Sequence, residues 1–189
     1  MKISVALTIL SVLKYSESFE LFQSCINSPV IPDFSLNSFM GKWYQVSCIA
    51  PIPMELNFDC ITIDYQTKSN NVISLNSTGF VPSTTLSFSI NGEATVNDFS
   101  KPNLLKAEFF KDTGSDLFKR DYHIWKTDYT QYAVVYSCSS NWLYRSQTVV
   151  ILSRAKSLSS SVQEELTNFL NEKGIDANKL KPTEQKCNN

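Results

Sequence analysis

One histidine, His123, stands in the whole chain, so a metal centre built from several imidazoles is excluded. The carboxylates form no pair at a spacing that acid–base catalysis would use. There is no block of lysine and arginine and the formal net charge is -1, which argues against nucleic acid, where a basic patch must displace phosphate counterions. No apolar run reaches the ~20 residues that a membrane-spanning helix needs. C-x-x-C pairs, internal repeats, linkers and low-complexity segments are missing too. What remains is a chain of 189 residues, 42% hydrophobic and 12% aromatic, long enough to bury one sizeable core and read as one domain.

Met1-Lys2, the apolar run Ile3 to Leu13, and the small residues Ser16 and Ser18 three and one positions before a cut predict a secretory signal peptide over residues 1–18. The polar C-terminal residues Glu184 to Asn189 carry no hydrophobic anchor tail, so a soluble mature chain in an oxidising compartment is expected. Export makes Cys25, Cys48, Cys60, Cys138 and Cys187 candidates for disulfides, with one thiol left over. Choosing the odd cysteine and pairing the rest leaves about fifteen arrangements open.

Period-2 alternation dominates from Gly41 to Arg154. Leu86, Phe88, Ile90, Gly92, Ala94 and Val96 fall on one face, and Ser87, Ser89, Asn91, Glu93 and Thr95 on the other, the pattern of a half-buried antiparallel strand. Similar runs at 42–49, 60–67, 72–79, 104–111, 122–126, 131–138 and 148–153 bring the count to eight. Short links with turn chemistry, such as Lys68-Ser69-Asn70-Asn71 and Val81-Pro82-Ser83, favour an up-and-down meander. Closure removes its edges, and eight strands enclose room for packed side chains or one small ligand. The alternative is a sandwich. Beyond Arg154, Val162, Leu166, Phe169 and Leu170 recur at helical spacing between cap candidates Ser159 to Ser161 and a stop at Gly174, predicting one amphipathic helix against the outside of the barrel.

Chemistry has few candidates. His123 sits in a strand, where a packing role outweighs a general base, and Cys48, if unpaired, is the best remaining nucleophile. The apolar positions on alternate strand residues suit an apolar ligand or a filled core, and periodicity does not separate the two.

Phe39 to Val46 with Gly41-Lys42-Trp43, Asn91 to Thr95, Thr127 to Cys138 with Thr127-Asp128-Tyr129, and Ile151 to Arg154 together resemble the lipocalins, and within them the apolipoprotein D-like branch with its bilin-binding and bacterial relatives. The likeness runs from about Cys25 to Cys187 and keeps the motifs in the family's order. It implies an all-β fold with one C-terminal helix: an eight-stranded antiparallel barrel over about 40–154, a helix over about 160–173 and a tail tied back by Cys187, all in one domain over 19–189. It implies that Trp43 packs at the closed end of the barrel with Arg154 across its ring. It pairs Cys25 with Cys138 and Cys60 with Cys187, leaving Cys48 odd. Ser140 stands where that branch has a further cysteine, and Asp112 to Lys119 replaces its exposed methionine loop. A partner-linking disulfide and a methionine-based antioxidant role are therefore not implied.

The family's inward positions, combined with the alternation, imply a ligand-binding lining of Ile63, Tyr65, Leu86, Phe88, Ile90, Ala107, Phe109, Tyr122, Ile124, Thr148, Val150 and Leu152, with Tyr65, Tyr122 and Thr148 as polar handles and His123 and Trp125 facing out. The apolar loop 49–58 corresponds to a lid over the mouth and offers a surface for peripheral membrane contact or self-association. Asn76-Ser77-Thr78 matches the N-glycosylation acceptor pattern, and strand register decides whether Asn76 points outward or into the barrel. The expectation is a secreted, non-enzymatic carrier of a small hydrophobic molecule (fatty acid, sterol, retinoid or tetrapyrrole) that needs no cofactor or metal. The alternatives are a lipid-modifying enzyme using Cys48 or a lining tyrosine, and an interaction protein with a filled barrel.

Overall fold

A computed structural model describes residues 19–50, 58–110 and 119–187. The expected signal segment 1–18, residues 51–57 of the expected lid and the 111–118 stretch lie outside the described residues.

The barrel strands are β2 (Gly41–Ile49), β3 (Asp59–Ser69), β4 (Val72–Val81), β5 (Leu86–Val96), β6 (Leu104–Phe109), β7 (Lys119–Thr127), β8 (Tyr132–Ser140) and β9 (Tyr144–Ser153). Each pairs antiparallel with the next, and β2 also pairs with β9, which closes the barrel and removes the sheet edges. The sandwich is thereby set aside. Two short strands that alternation did not predict, β1 (Phe19–Leu21) and β10 (Lys181–Pro182), add to β9 and β2. The helix α1 (Leu36–Phe39) leads into β2, and α2 (Ser160–Glu172) follows β9. Ser159 caps α2, its hydroxyl accepting the Val162 N–H, and Gly174 ends it at φ +77°.

Inward side chains from the strands form one core, including Tyr65, Ile73, Leu75, Ala94, Val96, Leu105, Ile124, Ala133 and Leu152. A second core lies outside the barrel, where Trp125, Tyr132, Val134, Tyr136, Val149 and Ile151 meet Val162, Leu166 and Leu170 of α2. Strands β8 and β9 are therefore buried on both faces. His123 and Trp125 do face away from the interior, but the N-terminal segment covers them. Trp125 Nε1 donates to Ser28 Oγ at 2.7 Å, and that oxygen lies 2.6 Å from His123 Nδ1.

The termini fasten the barrel. A disulfide joins Cys25 to Cys138 on β8, and another joins Cys60 on β3 to Cys187 of the tail. Strands β2 and β3 pair only over Gly41–Tyr44 and Tyr65–Thr62. The tail enters the gap beyond that pairing. Thr183 N donates to Val46 O, Cys60 N donates to Glu184 O, and Gln185 Nε2 donates to both Gln45 O and Ile61 O. Backbone groups that the parted strands would leave unpaired thus gain partners.

Candidate functional site

At the closed end an aromatic column rises toward the interior. The Arg154 guanidinium lies 3.7 Å from the centroid of the Trp43 ring and donates to the carbonyls of Met40, Lys42 and Tyr129 at 2.8–3.0 Å. A guanidinium at this distance over an indole makes a cation–π contact. Trp43 stacks on Phe39 at 5.2 Å and donates its Nε1–H to Phe39 O. Phe39 meets the edge of Tyr65 at 5.0 Å. Gly41 adopts φ +92°, and a Cβ there would sit 3.4 Å from the Arg154 guanidinium, so glycine lets the chain turn under the arginine.

Thr127, Asp128 and Tyr129 build the turn that carries one of those carbonyls. The Asp128 carboxylate accepts N–H groups from Thr130, Gln131 and Tyr132. Burial pushes its pKa up, but these donors outweigh that and hold it below the usual carboxylate value. Tyr129 accepts the Ser35 N–H on its hydroxyl, fastening the N-terminal segment across the base.

Above the column, the Tyr65 and Tyr122 hydroxyls meet at 2.5 Å across the barrel. Burial is the main cause that raises both pKa values, Tyr122 to about 12, so both stay protonated at neutral pH.

Tyr122 of this pair lines a cavity of about 170 Å³ together with Ile63 of β3, Leu75 and Ser77 of β4, Phe109 of β6, Arg120 of β7, Val135 and Ser137 of β8, and Thr148 and Val150 of β9. Gly92 lies under Phe109, directly opposite on the neighbouring strand. A Cβ at Gly92 would come 2.7 Å from that ring, so glycine seats the aromatic wall.

The structure divides the expected lining into three levels. Ile63, Phe109, Tyr122, Thr148 and Val150 line the cavity. Tyr65, Ala107, Ile124 and Leu152 lie inside the barrel, fully buried in the core. Leu86, Phe88 and Ile90 share the inward face of β5 but stand at the rim, with Leu86 63% exposed. The cause is register. β5 pairs with β6 only from Gly92 onward, so residues 86–90 rise past the end of β6.

Leu75, Ser77, Arg120, Val135 and Ser137 line the cavity without having been expected there. On β8 the signal was erased, because α2 and the N-terminal segment bury its outer face and Tyr132 to Tyr136 read as a continuous apolar run. On β4 the 73, 75, 77 alternation was legible and would have found two of them. The same register turns Asn76 outward, exposed, with its amide oxygen accepting from Ser89 Oγ.

Cys48 is unpaired and buried on β2, and burial raises its thiol pKa despite the nearby Lys181. It is not among the cavity-lining residues. A raised thiol is a poor nucleophile.

The model of the lipocalin-like domain family matches residues 34–185. Apolipoprotein D of Cavia porcellus is 33% identical over 165 residues, 87% of this chain and 84% of that protein. The Lazarillo protein of Schistocerca americana is 27% identical over 187 residues, covering 98% and 84%. Among solved structures, apocrustacyanin C1 superposes with a TM-score of 0.72 at 23% identity, over 90% of this chain and 93% of that one.

Proposed function

Because the chain belongs to the lipocalin family, whose members hold small hydrophobic ligands in the barrel, we propose that it carries or sequesters a slender apolar molecule, tail inward toward Tyr122. The observation that carries this reading is the cavity itself: among the described residues the core fills the closed end of the barrel, and the space above it is mainly apolar. Its volume of about 170 Å³ lies below the ~300–1,000 Å³ of sites that enclose drug-sized molecules. A single acyl chain therefore fits with less rearrangement than a sterol or a tetrapyrrole. Ile63, Leu75, Phe109, Val135 and Val150 supply apolar contact, and Tyr122 and Thr148 orient the ligand.

The Cys48 enzyme reading finds no support in the site, since the thiol is held in its protonated form and is not among the lining residues. We place the protein in the secretory pathway, a reading supported by the two disulfides and by the apolar start of the sequence. The outward Asn76 is accessible there to N-glycosylation. Native mass spectrometry of the secreted protein, incubated with decanoate, retinol, cholesterol and biliverdin in turn, tests the carrier. One-to-one retention of the single-chain compound is expected, and Cys48→Ser should leave it unchanged. If folded protein retains none of the four, the filled barrel becomes the better account.

A further inference from the structure

A second cavity lies outside the barrel. Helix α2, residues 156–158 and the C-terminal tail border a groove of about 600 Å³ over the outer face of β2 and β9. Its apolar lining is Val46, Ile151, Leu158, Leu166, Ala177 and Leu180, all part of the outer core. The volume falls within the ~300–1,000 Å³ of small-molecule sites, where the barrel cavity of about 170 Å³ does not. Its walls are fixed in advance: α2 packs on the strands, and the tail is held by the Cys60–Cys187 disulfide and by its bonds to β2 and β3.

Gln185 supplies the polar mark of a ligand. It lines the groove although only 7% exposed. Its Nε2 donates to Gln45 O at 2.8 Å and to Ile61 O at 3.0 Å, which spends both amide protons and fixes which end of the carboxamide is oxygen. That oxygen accepts nothing from the described residues, yet it is not sealed from the space outside. A largely buried acceptor so placed calls for a donor.

Charge sets the other end. Lys186 and Glu184 stand 4.0 Å apart at the rim, whereas Lys156, exposed on the same lining, has no ion-pair partner among the described residues. Two lysines against one glutamate leave the groove with one positive charge in excess.

We propose that this groove is a second binding site, for a ring-bodied organic acid that carries hydroxyl groups. The apolar body lies on Val46, Ile151 and Leu166, a hydroxyl donates to the Gln185 carboxamide oxygen, and the carboxylate pairs with Lys156. A rigid body loses little freedom in an open groove, whereas an acyl chain has to be ordered along it. This site stands whether or not the barrel carries a ligand.

Isothermal titration with cholate below its micellar concentration, on folded protein with and without saturating decanoate, tests the site. One-to-one binding is expected, with affinities in the two states within about twofold because the groove and the barrel cavity share no lining residue. Thr167→Trp, on the groove side of α2, fills the space and should weaken cholate by about tenfold or more. Lys156→Gln should weaken it by about threefold, an effect that salt erases. Cholanate, the same acid without hydroxyls, should bind about threefold more weakly than cholate. Thr167 and Lys156 are both exposed, so the variants keep the fold, which far-ultraviolet circular dichroism checks, and both should bind decanoate as the parent does. Cholate that decanoate displaces, that Thr167→Trp does not weaken, or that folded protein does not bind overturns the groove site. Cholate held by protein that ignores decanoate upholds it and overturns the barrel carrier instead.

Discussion

At the closed end of the barrel, Arg154, Trp43, Phe39 and Tyr65 form a column whose rings are at most 1% exposed. At the open end Leu86 and Trp142 stand in solvent, and the chain is fastened there by disulfides from both termini. One end is stabilised by packing and the other by covalent closure. This division suits a container. Packed rings do not yield without loss of stability, whereas a mouth held by cross-links keeps its walls in place while its side chains move around a ligand.

The largest effect should come from the covalent side. Replacing Cys60 and Cys187 together by serine frees a closed loop with a sequence separation of 127, worth about 4 to 5 kcal/mol in the chain-entropy model. Urea unfolding under non-reducing conditions measures it. A loss under about 1 kcal/mol would mean that the hydrogen bonds of Thr183, Glu184 and Gln185 hold the tail between β2 and β3 unaided.

Trp43→Ala breaks the packed side. Removing a fully buried indole leaves a cavity and an arginine without its ring, at about 3 to 5 kcal/mol. The contrast between the ends sharpens here, because decanoate affinity per folded molecule should stay within about twofold of the parent. A variant that keeps its melting temperature and loses the ligand would place binding at the wrong end.

The two ends also differed in how far they could be read from the sequence. Gly41, Trp43, Thr127, Asp128, Tyr129 and Arg154 are sequence-local or motif-bound, and the resemblance that carried them also carried the eight strands, the helix and the disulfide pairs. The family's inward positions, taken with the alternation, implied an inward parity for β3, β5, β6, β7 and β9. Alternation could not give depth. Whether an inward residue is floor, wall or rim depends on strand stagger, which is why Leu86 reaches solvent and Ala107 the core from the same expected lining. Nor could it give β8, where burial on both faces removes the period, or Arg120, whose charge reads locally as an exposed strand residue.

Gly92→Ala probes the open end more finely. The added methyl meets the Phe109 ring and adjacent backbone, an overpacking that costs about 1 to 3 kcal/mol. The ring's escape is into the cavity, so decanoate affinity should fall by more than the melting temperature predicts. Pairing the change with Phe109→Leu should recover stability and binding together. If binding survives Gly92→Ala intact, the ring moves elsewhere and is not a wall of the site.

The smallest effect expected is one of pH and belongs to the outer wall that the N-terminal segment covers. Burial lowers the pKa of His123, Lys106 adds to that, and Asp121 opposes it. His123 Nδ1 lies 2.6 Å from the Ser28 hydroxyl oxygen, which also accepts from Trp125, and a neutral imidazole unprotonated at Nδ1 can accept the hydroxyl proton. The unfolded chain takes up a proton near the ordinary ~6.5, and the folded chain does so only at lower pH. The stabilisation is therefore complete above ~6.5 and is lost as pH falls through the folded value. The Asp128 carboxylate is held below the usual carboxylate value, so its own contribution is lost only below that ordinary value. Melting temperatures between about pH 7.5 and pH 5 should fall in the parent and fall less in His123→Gln. Equal slopes would show that protonation leaves the Ser28 contact intact.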